Sequence, residues 1–256
     1  MKPIVSVITP CCNCEKYIAD TIYSALNQTF KDFELIIVDD VSSDNTVNII
    51  KNISQVDKRI KLIQLNQKIG ASGARNKALL LAQGKYIAFL DGDDLWKEDK
   101  LEKQIAFMEQ HQVSFCYCDY EYIDENSNHL NLMRISPNKV SYLKMLLGDS
   151  IGCLTVMYDA SKLGTIQIPR IEKRNDYALW CTILKRLKKG YKCHGTLAFY
   201  RKSKNSLSSE NKVKLLKYHY IMHRRVNQFN PLVSLFFTWT NGVNYLINRI
   251  VRDSSI

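Results

Sequence analysis

Apolar residues come in short, nearly unbroken runs through the first hundred positions of this chain. Val5–Thr9, Phe33–Val38, Ile60–Leu65 and Tyr86–Leu90 each read as a strand. Helical segments fall between them, near Ile18–Leu26, Asn45–Ile53 and Ser72–Ala82. Runs that are apolar on both faces and separated by helices predict an α/β fold with a mostly parallel sheet covered on two sides. Ligands in such sheets bind beyond the carboxyl ends of the strands. The sequence places acids at two such ends, Asp39-Asp40 and Asp91–Asp94.

The pattern then becomes mixed. Glu98–Gln110 reads as a helix and Val113–Ile123 as an aromatic-rich strand, while Glu125–Pro137 is polar and loop-like. A short helix near Val140–Leu147 precedes a strand at Cys153–Tyr158. Asp176–Lys189 carries Leu179, Ile183, Leu184 and Leu187 on one helical face, with Gly190 as the stop and a strand at Tyr191–Tyr200 after it. In the tail, Leu232, Leu235, Phe236, Trp239, Val243, Leu246, Ile247 and Ile250 draw a single apolar stripe. The reading divides the chain into residues 1–97, 98–210 and a basic, amphipathic tail over 211–256.

Charge sharpens this division. The 256 residues carry a formal charge of +11, but it is concentrated. Between Arg170 and Arg225 sixteen Lys and Arg face three acids, Glu172, Asp176 and Glu210, a net of +13. The remainder, with twenty basic and 22 acidic residues, is slightly negative. A local cationic surface suits phosphates, anionic lipid or nucleic acid. Followed by an amphipathic helix it suits an anionic membrane surface, and a helix packed on its own domain or a partner fits equally well. No apolar run reaches the ~18 residues of a spanning helix. No export signal opens the chain, so its eight cysteines are expected as reduced thiols of a cytoplasmic protein.

The acids at Asp91, Asp93 and Asp94 suit a hard divalent cation, which takes one or two carboxylates plus substrate phosphates. Taken alone the Asp-x-Asp spacing is weak, and a polar turn capping the following helix accounts for them better. The spacing of Cys11, Cys12 and Cys14 matches no zinc pattern and reads as loop filling. Gly70–Asn76 opens a helix without a P-loop or dinucleotide fingerprint, yet Ser72 and Arg75 there suit phosphate or a base edge. Asp176 lies in the first turn of its helix, where the dipole favours an acid anyway. Surrounded by cations it stays ionised, and could serve as a base toward an incoming hydroxyl.

Taken in order, these elements resemble the family 2 glycosyltransferases of GT-A fold, in particular the bacterial surface-polysaccharide type similar to teichuronic acid glycosyltransferases. The resemblance covers roughly residues 3–210 and is densest over the stretch from Val5 to Thr46. It departs at Cys12, where the family usually has Tyr, and at Asn175, where Glu often precedes the base. The resemblance implies that Thr9 and Pro10 line the nucleotide pocket and that Asp39 bonds the base. It sets Arg75 toward the nucleotide, Asp91 near the ribose, Asp93 on the metal and Asp176 as the general base. Tyr200-Arg201 and Ser206–Ser208 resemble a loop closing on the diphosphate, with Lys204 near the place of a family histidine. The implied reaction is inverting transfer from a nucleotide-diphosphate sugar, uridine being the expected base, with Mn²⁺ or Mg²⁺. The expected acceptor is a hydroxyl of a glycan or lipid-linked saccharide, reached by a peripheral protein on the inner face of the cell membrane.

Two other classes were weighed. A sugar-nucleotidyl or phosphoryl transferase needs a glycine-rich basic loop after the first strand, and Pro10–Glu15 supplies none. A nucleic-acid-binding module would use the 170–225 segment, which shows no finger, knuckle or RNP pattern, so no nucleic acid is expected.

Overall fold

The near-continuous apolar runs become strands buried on both faces. In the computed structural model, which describes residues 2–148, 151–202 and 212–253, β1 (Val5–Cys11) and β2 (Phe33–Asp39) are buried at every position. With β3 (Ile60–Gln64) and β4 (Tyr86–Phe89) they form a parallel set in the order β3-β2-β1-β4. Alternation along the strands feeds two cores. Ile8, Ile36, Val38 and Phe89 point to one, and Val7, Leu35, Ile37 and Leu90 to the other. Ile18 and Ile22 of α1 (Ile18–Leu26) and Ile50 of α2 (Thr46–Val56) pack the second core. Ala74, Ala78 and Leu79 of α3 (Gly70–Leu81) pack the first.

The sheet continues as a mixed one through the second half. β9 (Met157–Asp159) runs antiparallel between β4 and β6 (Phe115–Ile123), and β10 (Lys189–Arg201) lies parallel to β6. β5 (Leu95–Trp96) returns antiparallel onto β10, which closes the site loop against the second half of the chain. β7 (His129–Arg134) adds to β6, and β8 (Lys139–Ser141) to β10. The helices here are α4 (Lys100–Gln110), α5 (Tyr142–Leu147), α6 (Ala160–Leu163) and α7 (Asn175–Leu187). Trp180 of α7 fills the first core, its ring 5.4 Å from Phe89 and 5.7 Å from Phe115. α8 (Lys212–Arg225) and α9 (Pro231–Asp253) pack on α7 and α5.

Three local expectations change. The polar stretch Glu125–Pro137 contains β7, whose alternation is hidden because nearly every residue of it faces solvent. The strand expected from Cys153 begins only at Met157, after a 3-10 turn over Cys153–Thr155. Gly190 does not stop α7. Lys188 does, at φ +67°, and Gly190 lies in β10, where a Cβ would come within 2.4 Å of Phe115 Cδ1. Lys204 and Ser206–Ser208 lie outside the described residues.

Candidate active site

The carboxyl ends of β1, β2 and β4 converge. Register pairs Cys11 with Asp39, and a Cβ on Gly92 would lie 3.0 Å from Cys11 Cβ and 3.3 Å from the Pro10 carbonyl. Glycine thus lets the loop after β4 lie closely against the end of β1, where a Cβ would make tight contacts. Thr9 is fully buried and its Oγ1 has no hydrogen-bond partner among the described residues. Asp39 is buried and accepts from the Ser42 hydroxyl and, at 3.1 Å, from the Ser42 amide. Asp40 accepts the Ile69 and Gly70 amides at 2.8 and 2.9 Å, which fixes the entry to α3.

Arg75 is the junction of the site. Buried on α3, it forms an ion pair with Asp91 and donates from Nη1 to Asn175 Oδ1 at 3.0 Å. Burial opposes its charge, but Asp91 beside it outweighs that and holds the guanidinium above its usual range. Asn175 begins α7, so one side chain joins the loop after β4 to the helix that carries Asp176. Asp176 Oδ1 accepts the Tyr177 amide at 2.8 Å, and its charge is felt at Arg75. The Cys153 thiol lies in the field of Arg75, Asp91 and Asp176, its pKa raised by burial.

The remaining acids differ in role. Burial, then the neighbouring Asp91, pushes the Asp93 carboxyl up to about 6. Asp94 is buried, and burial, then the neighbouring Asp93 and Asp91, raises its carboxyl well above the usual range; it accepts the Arg201 amide at 2.9 Å. It therefore anchors the end of β10 rather than capping α4, whose N-cap is Asp99. Arg201 is buried with its ring-facing side 4.7 Å over Tyr17. Its guanidinium donates to the carbonyls of Asp93 (2.8 Å) and Asp124 (3.1 Å) and to Ser127 Oγ (2.9 Å). It thus braces the carboxylate loop from behind.

Among the described residues no group of three or more His, Cys, Asp or Glu is arranged to hold a metal ion. The oxygen donors of Asp93 and Asp91 nevertheless fit a hard cation that draws its other ligands from phosphates and water. Asp91 already has Arg75, whereas Asp93 carries the charge that its surroundings penalise, and a cation would relieve it.

The structure thus gathers Thr9, Pro10, Asp39, Arg75, Asp91, Asp93, Asp176 and Arg201 around one end of the sheet. Sequence patterns did not reveal Asn175, Cys153 or Tyr17 as members, since each joins through a distant partner. Asp40 had a signal, its place beside Asp39.

The sequence profile of glycosyl transferase family 2 matches residues 6–161. A putative teichuronic acid biosynthesis glycosyltransferase of Bacillus subtilis, TuaG, is 42% identical over 251 residues, 98% of each chain. WfgD of Escherichia coli, a UDP-Glc:alpha-D-GlcNAc-diphosphoundecaprenol beta-1,3-glucosyltransferase, is 41% identical over 254 residues, covering 98% of this chain and 95% of its own. In fold, S. aureus TarS 1–349 in complex with UDP-GlcNAc superposes with a TM-score of 0.69 at 21% identity, over 93% of this chain and 70% of TarS. The Pyrobaculum calidifontis mannosyltransferase PcManGT, in complex with GDP-Man and Mn2+, gives 0.69 at 15% identity, over 94% and 72%. With its profile, its full-length relatives and its GT-A architecture in agreement, the chain belongs to glycosyl transferase family 2.

Proposed function

We propose that the chain moves a sugar from a UDP-sugar to a hydroxyl of a lipid-linked saccharide during surface-polysaccharide assembly, with inversion at the anomeric carbon. The observation that carries this is the Arg75 bridge, which ties the donor-side carboxylate Asp91 to Asn175, the residue directly before the candidate base. The E. coli relative, named for UDP-Glc and a diphosphoundecaprenol-linked acceptor, supports the substrate classes. Residues 1–97 take the nucleotide, with Asp39 toward the base, Thr9 and Pro10 along the pocket and Asp91 toward the ribose. Residues 98–210 receive the acceptor, and residues 211–256 attach the enzyme peripherally to the membrane that carries it.

Asp176 removes the acceptor hydroxyl proton as that oxygen attacks the anomeric carbon opposite the leaving diphosphate. Asp93, with Asp91, would hold Mn²⁺ or Mg²⁺, which when bound would supply positive charge against the leaving diphosphate. Arg75 pairs with Asp91 and fixes the start of α7 through Asn175. Arg201 holds the carboxylate loop against β10 and adds its charge behind Asp93.

The test is a panel of UDP-glucose, UDP-GlcNAc, UDP-galactose and GDP-mannose, each with Mn²⁺ and Mg²⁺, on an alkyl-diphosphate GlcNAc acceptor. An α-linked UDP-sugar should give a β-linked product by NMR. An α-linked product would overturn inversion, and turnover of GDP-mannose alone would overturn the uridine assignment.

A further inference from the structure

α9 is amphipathic the wrong way round for a helix that merely packs on its domain. Among the side chains described in it, Ser234, Phe237 and Asn241 are buried. Asn241 and Asn244 donate to the Leu146 and Leu147 carbonyls at the end of α5, at 2.8 and 2.6 Å. The apolar residues point out instead: Leu232 is 78% exposed, Leu235 55%, Phe236 54% and Trp239 65%. Spaced by three, four and seven, they share one face over two turns, about 10 Å of axis. The sequence continues the stripe through Val243, Leu246, Ile247 and Ile250, although the last three side chains lie outside the described residues. Among the described residues no helix is long and apolar enough to cross a membrane.

Positive charge lies on the preceding helix, where Lys217, Arg224 and Arg225 of α8 are exposed. The Arg224 guanidinium bonds the Phe229 carbonyl, in the turn just ahead of Pro231, so one cation stands at the start of the apolar stripe. An exposed aromatic and aliphatic stripe bordered by cations is the pattern of a helix lying in the interface of an anionic bilayer. The net +13 of residues 170–225 complements an anionic headgroup surface.

We propose that α9 docks on an anionic phospholipid surface through Leu232, Leu235, Phe236 and Trp239, with the α8 cations on the headgroups. This deepens the peripheral placement proposed above and rests on it for the membrane as occupant. The hairpin is also seated on the base helix. The ring of Tyr177, next to Asp176, lies 5.4 Å from His219 and 6.4 Å from His223 of α8. Docking therefore fixes the orientation of the active site above the leaflet.

The full chain is tested by flotation with phosphatidylcholine vesicles with and without 30% phosphatidylglycerol (a test composition on the order of natural anionic leaflets). Wild type should float with anionic vesicles only, and less as salt rises. Trp96 and Trp180 are buried, so a blue shift in emission on adding vesicles reports Trp239. Replacing Leu235, Phe236 and Trp239 together by Ser should weaken partitioning by about 100-fold or more, with unchanged circular dichroism and unchanged turnover of a water-soluble acceptor. The Lys217→Glu and Arg225→Glu variant should lose the preference for anionic vesicles. No flotation and no blue shift in wild type would overturn the proposal. So would a dimer that the triple variant dissolves while vesicles remain unbound, since the face would then join two copies. Flotation without turnover of any nucleotide sugar would leave docking standing and fail the enzymatic reading.

Discussion

At Arg75 one guanidinium joins segments that the chain separates by 100 residues. Arg75→Met leaves Asp91 without its cation and Asn175 without its donor, and should cost about 1.5–3 kcal/mol of stability in urea. Donor affinity and kcat should fall together, because one residue serves both segments. The other acids should separate. Asp176→Asn should cut kcat by about 10³-fold or more, while donor and metal affinity stay near wild type in calorimetry. Asp93→Ala should instead abolish the response to Mn²⁺ and weaken donor binding. Equal losses of metal affinity in both variants would refute that division of roles. Asp91 and Asp93 were legible in the sequence because they follow a strand, and Asp176 because it opens a helix in a segment otherwise rich in cations. The bridge was not, since nothing local marks Asn175 as the partner of Arg75.

At the scale of elements, the fold was most legible where burial is two-sided. β1, β2 and β4 announce themselves as apolar runs, whereas β7 owes its existence to pairing with β6 and shows no buried face. Gly190 illustrates how a correct signal acquires a wrong meaning. Its position suggested a helix stop, but the glycine is required because the buried Phe115 ring occupies the place of a side chain. Gly190→Ala should cost about 1–3 kcal/mol by overpacking, read as a lower melting temperature without a change in α7 length. The α8 histidines give a pH dependence. Burial holds His219 down to about 3, with Arg174 and His223 adding to it, and burial holds His223 down to about 4. In the unfolded chain both titrate near 6.5, so acidification puts protons on the unfolded state first. The stability present above pH 6.5 should therefore drain away from about 6.5 down to about 4 for His223 and about 3 for His219, by up to about 1.4 kcal/mol per unit for each histidine. Denaturant melts of His219→Gln with His223→Gln should show a shallower loss over that range than wild type.

Across the whole molecule, the acids that follow the strands and the excess of positive charge come from different stretches of the sequence. Asp39, Asp91 and Asp93 lie where the chain is slightly negative, whereas the excess of cations falls in residues 170–225, which also carry Arg201 and the proposed base Asp176. That separation could be counted from the sequence, but the direction in which α9 faces could not, because a stripe shows which residues share a face and not what the face meets. One feature of the donor side also makes the protein measurable. All eight cysteines are free, and seven of them are buried. Cys12 alone is exposed, between buried Cys11 and Cys14 at the mouth of the nucleotide end. Its thiol is raised by burial of its base, with Lys68 partly offsetting this, so its labelling should quicken as pH rises. Ellman's reagent should find one fast thiol in the native protein and eight in denaturant. A fluorophore placed there needs no engineered cysteine, and would turn the loop into a built-in optical gauge of donor occupancy.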